Sequence, residues 1–329
     1  METERLILRR FTMDDAQAMF DLWTGDPAVA EYCVWPAHES VDVSRELIAL
    51  WMEECRAPDR YEWCIEVKGV GPRGSIGIVK VDEEAETVEI GYCLSRGCWG
   101  MGYVPEAAQA VIRLMFETVG ARRVTAKHDV DNPKSGRVMQ KCGMRYLETR
   151  KNGVVNNHGL RDVAVYAIDR IDAHPLTEAH KREICAWRYD GEYSVYNLPA
   201  YEEMARRQSG FMNPARTDNY IGFSVEGELV GFVNLLEEPD EVFVGIGVHP
   251  EHVNKGFGRR ILTAASQIAR EKYPGKPLYL EVRTWNERAL RCYRRAGFSV
   301  VGEPFEQTTG AGTGIFCKLS LHPIAAALI

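Results

Sequence analysis

Short runs rich in apolar residues recur over residues 62–67, 75–81 and 87–94, and again over 220–226, 229–235 and 241–248, with apolar and polar positions alternating at a period of two over Val242–Val248. Each run predicts a strand with one face turned to a core. After the third strand of each set the period lengthens toward that of a helix, over 103–117 and 257–272. A strand then follows at 123–128 and at 278–283, with short helices from Ser135 and over 287–296 and terminal strands beyond, near 145–149 and 162–168 in the first set. Upstream, Arg5–Arg9 reads as a strand, a helix starts near Asp14 with Thr12 as its expected cap, and Val41–Cys55 reads as another helix. The second set opens with a helix near Glu178. Strands and helices in this order predict an α+β domain with one central sheet, present twice.

Three landmarks recur in the same order. Gly100 and Gly256 lie 156 residues apart, Asn132 and Asn286 lie 154 apart, and Gly143 and Gly297 also 154 apart. A near-constant shift is the mark of an internal repeat. The periodic pattern lapses over 169–177, which places the boundary near Leu176 and gives domains of 1–173 and 177–329. Two copies joined so closely are expected to pack as an intramolecular pseudo-dimer, or the chain to form a homodimer.

With 45% hydrophobic and 26% charged residues, 329 residues suffice for two packed cores. The net charge of −7 argues against nucleic acid, which needs a basic surface to displace counterions. Nine cysteines without a Cys-x-x-Cys pair form neither a disulfide framework nor a zinc site, and a reducing cytoplasm is the expected setting. The start has acidic residues and no long apolar run, so neither a signal peptide nor a membrane anchor is expected there. The apolar tail at 324–329 is too short to span a bilayer and either docks or frays.

The chemistry concentrates after the third strand of each set. In the second copy Val248 leads through His249-Pro-Glu-His252 to Val253, Asn254, Lys255, Gly256, Phe257, Gly258 and Arg259, which open a helix. A helix start offers unpaired N–H groups and a positive dipole end, and glycines let a phosphate approach them. No Gly-Lys-Ser/Thr follows, so this is not a P-loop, and the third glycine of a dinucleotide fingerprint is missing. A pyrophosphate held by backbone amides without metal suits coenzyme A. His249 and His252 lack a third ligand nearby and are expected to pack or to be solvated, and no metal is expected.

This block resembles the acyl-CoA pyrophosphate loop of the GNAT acetyltransferases, Gln/Arg-x-x-Gly-x-Gly/Ala. Gly256 and Gly258 match, whereas Val253 and, in the first copy, Gly97 depart from the first position. The stretch 280–298 reads Leu-Glu-Val-Arg-Thr-Trp-Asn-Glu-Arg-Ala-Leu-Arg-Cys-Tyr-Arg-Arg-Ala-Gly-Phe. It resembles the ribosomal-protein alanine N-acetyltransferase branch, which implies Glu281 as general base, Asn286 as pantetheine contact and Tyr293 as general acid. The residue types suit the reaction, since a protonated amine must lose a proton to attack a thioester and the departing thiolate must gain one. The oxyanion would meet a backbone N–H on Val244–Val248.

In the first copy Glu-Ile-Gly-Tyr-Cys-Leu-Ser at 89–95 and Trp99-Gly100-Met101-Gly102-Tyr resemble the ribosomal-protein serine and alanine acetyltransferase branch, with Asn132 and Ser135 matching its Asn-x-x-Ser. The shift of 154 puts Lys127 at the place of Glu281 and Met139 at that of Tyr293. If this copy acts, Glu89 is the expected base and Ser135 the thiolate partner; otherwise it binds without turnover. Trp187, Tyr189, Tyr193 and Tyr196 form an aromatic cluster expected mainly to fill core. The resemblance implies two mixed, mostly antiparallel sheets flanked by helices, and transfer of an acetyl group from acetyl-CoA, as co-substrate, to a primary amine on a protein N-terminus or small molecule. A non-catalytic acyl-CoA sensor or scaffold and an antibiotic-modifying acetyltransferase are the alternatives.

Overall fold

The structure, a computed structural model, describes residues 1–57, 60–310 and 312–322; the tail at 324–329 lies outside them. The chain forms two compact units, Met1–Arg170 and Ile171–Ile329.

In the first unit the strands are β1 (Leu6–Arg9), β2 (Glu62–Val67), β3 (Gly71–Asp82), β4 (Thr87–Leu94), β5 (Arg123–Asp129), β6 (Arg145–Asn156) and β7 (Gly159–Asp169). Its helices are α1 (Asp15–Met19), α2 (Pro27–Ala30), α3 (Val41–Glu54), α4 (Tyr103–Leu114) and α5 (Pro133–Lys141). The sheet order is β1-β2-β3-β4-β5-β7-β6. Neighbours run antiparallel except β4 and β5, which are parallel.

The second unit comprises β8 (Asp172–Pro175), α6 (Glu178–Ala186), α7 (Tyr201–Arg207), β9 (Tyr220–Val225), β10 (Glu228–Glu237), β11 (Val242–Val248), α8 (Phe257–Lys272), β12 (Leu278–Arg283), α9 (Glu287–Arg295), β13 (Ser299–Thr309) and β14 (Gly312–Leu321). Read from β8, its sheet order is β8-β9-β10-β11-β12-β14-β13, the same path as in the first unit, and its one parallel pair is β11 with β12.

Each sheet buries both faces. Alternation sends Trp63, Ile65 and Val67 of β2 into a core shared with α4, while Cys64 enters a second core with Phe11, Met19, Trp23 and Ile48 under α1 and α3. In the second unit Leu278, Leu280 and Val282 pack with Ile261, Leu262, Ala265 and Ala269, the apolar stripe of α8. A separate cluster around Ile184, Trp187, Met204 and Phe211 covers the other face near β10. No helix among the described residues is long and apolar enough to cross a membrane.

Two local expectations change. Thr12 caps nothing with its side chain; instead Asp15 accepts from the Thr12 N–H at 2.8 Å and is gripped by both terminal nitrogens of Arg9 at 2.7 Å, because a buried carboxylate requires a charged partner. Much of the segment 169–177, where the periodic pattern lapses, is structured, since β7 runs to Asp169 and Asp172–Pro175 pair with β9 as an edge strand. An edge strand of four residues is too short to display the alternation that marks longer ones.

Candidate active site

β11 and β12 are in parallel register only at Val242–Leu278 and Phe243–Tyr279. From Val244 onward β11 has no ladder with β12, so its edge faces a gap whose backbone groups are open to a guest. The first unit repeats this: β4 and β5 pair at Thr87–Arg123, Val88–Val124 and Glu89–Thr125, then part.

The long helix following each gap strand begins without a side-chain cap. Gly256 stands before α8 with φ 86° and Gly102 before α4 with φ 82°, a left-handed backbone that a side chain would strain. The other principal helix starts at these sites differ: Asn132, Asn286 and Thr177 cap α5, α9 and α6 with their own side chains. The first-turn N–H groups of α4 and α8 therefore suit a phosphate, as coenzyme A requires. Lys255 is exposed beside Gly256, Arg259 is half-buried, and Phe257 carries the Arg260 guanidinium 5.2 Å from its ring centroid. Gly258 faces Cys292 of α9, whose Sγ would lie 2.9 Å from any added Cβ. Asn254 adopts φ 62°, which turns the chain from Val253 into the helix.

In the first unit Gly97, Gly100 and Met101 are exposed, and Trp99 donates its Nε1–H to the Leu94 carbonyl at 2.8 Å with the Lys134 ammonium 4.7 Å from its ring. Its turn offers no lysine or arginine equivalent to Lys255 and Arg259.

Around the second gap, Asn286 uses both ends of its amide. Its Oδ1 accepts from the Ala289 N–H at 3.0 Å, and its Nδ2 donates to the Tyr196 hydroxyl at 3.1 Å. Asn286 thereby caps α9, and Asn132 does the same for α5 with the Ser135 N–H at 3.4 Å. Tyr189 donates its hydroxyl proton to the Val248 carbonyl at 2.8 Å, at the open edge of β11. Tyr193 and Tyr196 pack on Trp285 with centroids 5.5 and 6.0 Å apart. Three of the four aromatics read mainly as core thus gather at this corner, and Trp187 alone enters the buried cluster. The segment Gly191–Tyr196 has no apolar periodicity, so its destination is set by packing alone.

Tyr293 packs against the α8 core, and its hydroxyl has no hydrogen-bond partner among the described residues. Burial pushes its titration well above the ordinary tyrosine value, with Cys292 and Tyr196 adding to the rise and Arg288 opposing it. It stays protonated through the neutral range and is fitted to give a proton rather than take one. Glu281 leaves the opposite face of β12, because Leu280 and Val282 on either side turn into the core. Gln307 donates to its Oε2 at 2.9 Å. Lys318, the residue across the ladder from it, gives its ammonium to Glu241 at 2.6 Å, leaving Glu281 outside any ion pair among the described residues.

The first unit distributes its groups otherwise. Lys127 reaches Glu89 at 3.0 Å, neutralising it. Met139 is 1% exposed in the core. Ser135 lies 2.9 Å from the Tyr92 hydroxyl, a buried phenol whose titration burial also raises, and whose proton reaches the Ser135 carbonyl at 3.2 Å. Tyr92 lies in the quoted Glu-Ile-Gly-Tyr stretch, yet only the fold puts it against Ser135.

The His249 and His252 rings lie tilted against each other with centroids 5.2 Å apart, and His249 Nδ1 accepts from the Glu251 N–H at 3.2 Å, so the pair closes a turn. Among the described residues no cluster of His, Cys, Asp and Glu is arranged to hold a metal ion.

Residues 5–145 match the family described as an acetyltransferase (GNAT) domain, and residues 181–298 match the acetyltransferase (GNAT) family. The uncharacterized N-acetyltransferase p20 of Bacillus licheniformis is 29% identical over 157 residues, covering 47% of this chain and 85% of the relative. The uncharacterized protein YkkB of Bacillus subtilis (strain 168) is 33% identical over 149 residues, 45% of this chain and 86% of the relative. The N-alpha-acetyltransferase RimI of Mycobacterium tuberculosis (strain ATCC 25618 / H37Rv) is 40% identical over 90 residues, 26% of this chain and 54% of the relative.

Proposed function

The chain belongs to the GNAT acetyltransferase family, with one such domain in each half, and from this premise we propose that its second unit moves an acetyl group from acetyl-CoA to a primary amine by direct attack. The observation that carries the reading is the parting of β11 and β12, with Glu281 on one face of the sheet and Tyr293 on the other.

A thioester threaded through that gap meets a different group on each side. Lys255, Gly256, Phe257, Gly258 and Arg259 at the start of α8 hold the pyrophosphate, with Val253 and Asn254 shaping the approach and Val248 lining the strand edge. Glu281 accepts a proton from the amine, directly or through water, on the face away from α8. The lone pair attacks the carbonyl carbon, and open N–H groups of β11 offset the charge that develops on oxygen. The C–S bond breaks, and Tyr293 protonates the departing sulfur. Asn286 positions Tyr196 and α9 beside the pantetheine path. No cysteine is required as nucleophile. Gly97, Trp99, Gly100, Met101 and Gly102 form the corresponding turn in the first unit, beside Asn132.

The acceptor we favour is an α-amine, because the relative with the highest identity of the three above is named an N-alpha-acetyltransferase. Thiol release from acetyl-CoA with peptides of varied first residue, polyamines and a cationic antibiotic, followed by mass analysis, tests this. Peptides acetylated at the first nitrogen are the expected product. Binding of CoA with no thiol release for any amine would replace this reading with that of a sensor.

A further inference from the structure

Glu62 lies on β2 directly over Gly77 of β3, its register partner; a Cβ at Gly77 would fall 1.8 Å from Glu62 Oε2. The missing side chain makes the recess that receives the carboxylate. Ser75 and Cys93 share this face of the sheet, with Ser75 Oγ and Cys93 Sγ 3.5 Å apart. Ser75 is the hydrogen-bonding neighbour of the carboxylate, and no ion pair engages it among the described residues. It is half-buried, so one side reaches solvent.

This is the sheet face covered by α1 and α3, opposite the one where Tyr92 meets Ser135. Glu89 shares the Glu62 face but is engaged by Lys127. The second unit has the same two-sided plan, with a carboxylate outside any ion pair among the described residues on one face and its phenol on the other. We propose that Glu62 is the general base of the first unit, receiving a proton from a cationic amine that enters between the α1–α3 layer and the sheet. This replaces Glu89 in that role, keeps Ser135 as thiolate partner, and rests on the acetyl-transfer reading above.

The groups facing Glu62 are consistent with the assignment. Burial raises its titration to about 8, partly offset by Ser75 and reinforced by the Glu54 carboxylate at the end of α3. Cys93 on β4, itself raised to about 11 by burial, is neutral in the same range. A base with its titration near working pH takes a proton efficiently, and the Glu54–Glu62 pair draws an ammonium. The step balances: an ammonium gives one proton to Glu62, its nitrogen bonds to the thioester carbon as the C–S bond breaks, and its second proton passes through the Ser135–Tyr92 pair to the thiolate. The products are an N-acetyl amine, free CoA thiol and a proton released from Glu62 to water.

The full chain carrying Glu281→Gln and Tyr293→Phe, which silence the second unit, is assayed for thiol release across pH. The acceptor is an alkyl primary amine, which stays cationic across the pH range assayed. Residual turnover is expected, rising toward about pH 8. Adding Glu62→Gln lowers kcat about 10²-fold and abolishes that rise, with the KM for acetyl-CoA unchanged and Glu62→Asp restoring part of the rate. Circular dichroism verifies that each variant folds. A Glu62→Gln chain with unaltered rate and pH profile overturns the assignment. So does the absence of residual turnover in the silenced chain while the parent remains active, an outcome that leaves the second unit's reaction standing. A parent chain inactive with every amine sinks both readings.

Discussion

The Asn286 amide and the Tyr196 hydroxyl lie 3.1 Å apart although 90 residues separate them, and through them the loop before α7 is tied to the start of α9. Asn286→Ala removes both this bond and the α9 cap, and should cost about 1–2 kcal/mol of stability. Tyr196→Phe should cost less, because the cap survives. A double-mutant cycle read by urea unfolding checks the coupling, and strict additivity would show that the bond contributes nothing.

Tyr293→Phe keeps the ring in its packing place and removes only the hydroxyl. The turnover of the second unit should fall by about 10²-fold while the KM for acetyl-CoA holds. Steady-state thiol release in a chain also carrying Ser135→Ala and Glu62→Gln isolates that unit. A rise in KM at constant kcat would assign the hydroxyl to binding instead.

Gly256→Ala forces a side chain into a left-handed backbone at φ 86°, with open space around the new methyl. The strain is about 1–2 kcal/mol, and relief of it would turn the first-turn amides of α8 away from the pyrophosphate. Calorimetric titration with CoA should show weaker binding by about tenfold. Unchanged affinity in a chain whose Gly102 turn is also altered would place the diphosphate elsewhere.

Glu62 also makes stability depend on pH. Its folded titration near 8 stands above the ordinary 4.5, so between those values the folded chain keeps a proton that the unfolded chain has released. Its contribution therefore becomes progressively less favourable as pH rises through this window, and the penalty is complete above about 8. Glu62→Gln removes the effect and should be increasingly more stable than the parent from about pH 5 to about pH 9. Urea midpoints at the two ends measure it, and equal midpoint differences at both would contradict the assignment.

Much of the fold is legible in the pattern of residues. Alternation marks Thr87–Leu94 and Val242–Val248, and the glycines before α4 and α8 mark helix starts, because strand period and left-handed backbone are local properties. The recurring offsets likewise reveal two copies, as repetition is carried by the chain itself.

The site divides along the same line. The sequence alone determined that Glu281, Asn286 and Tyr293 stand at fixed steps along one strand and the helix after it, and that Lys127 and Met139 occupy two of those steps in the first copy. Only the tertiary structure decided that Lys127 would engage Glu89, that Lys318 would turn to Glu241 and leave Glu281 unpaired, and that Glu62 would settle over Gly77. Spacing along a strand or helix follows from backbone geometry, whereas the partner of a charged side chain depends on which strands the sheet brings side by side and which neighbour compensates its desolvation.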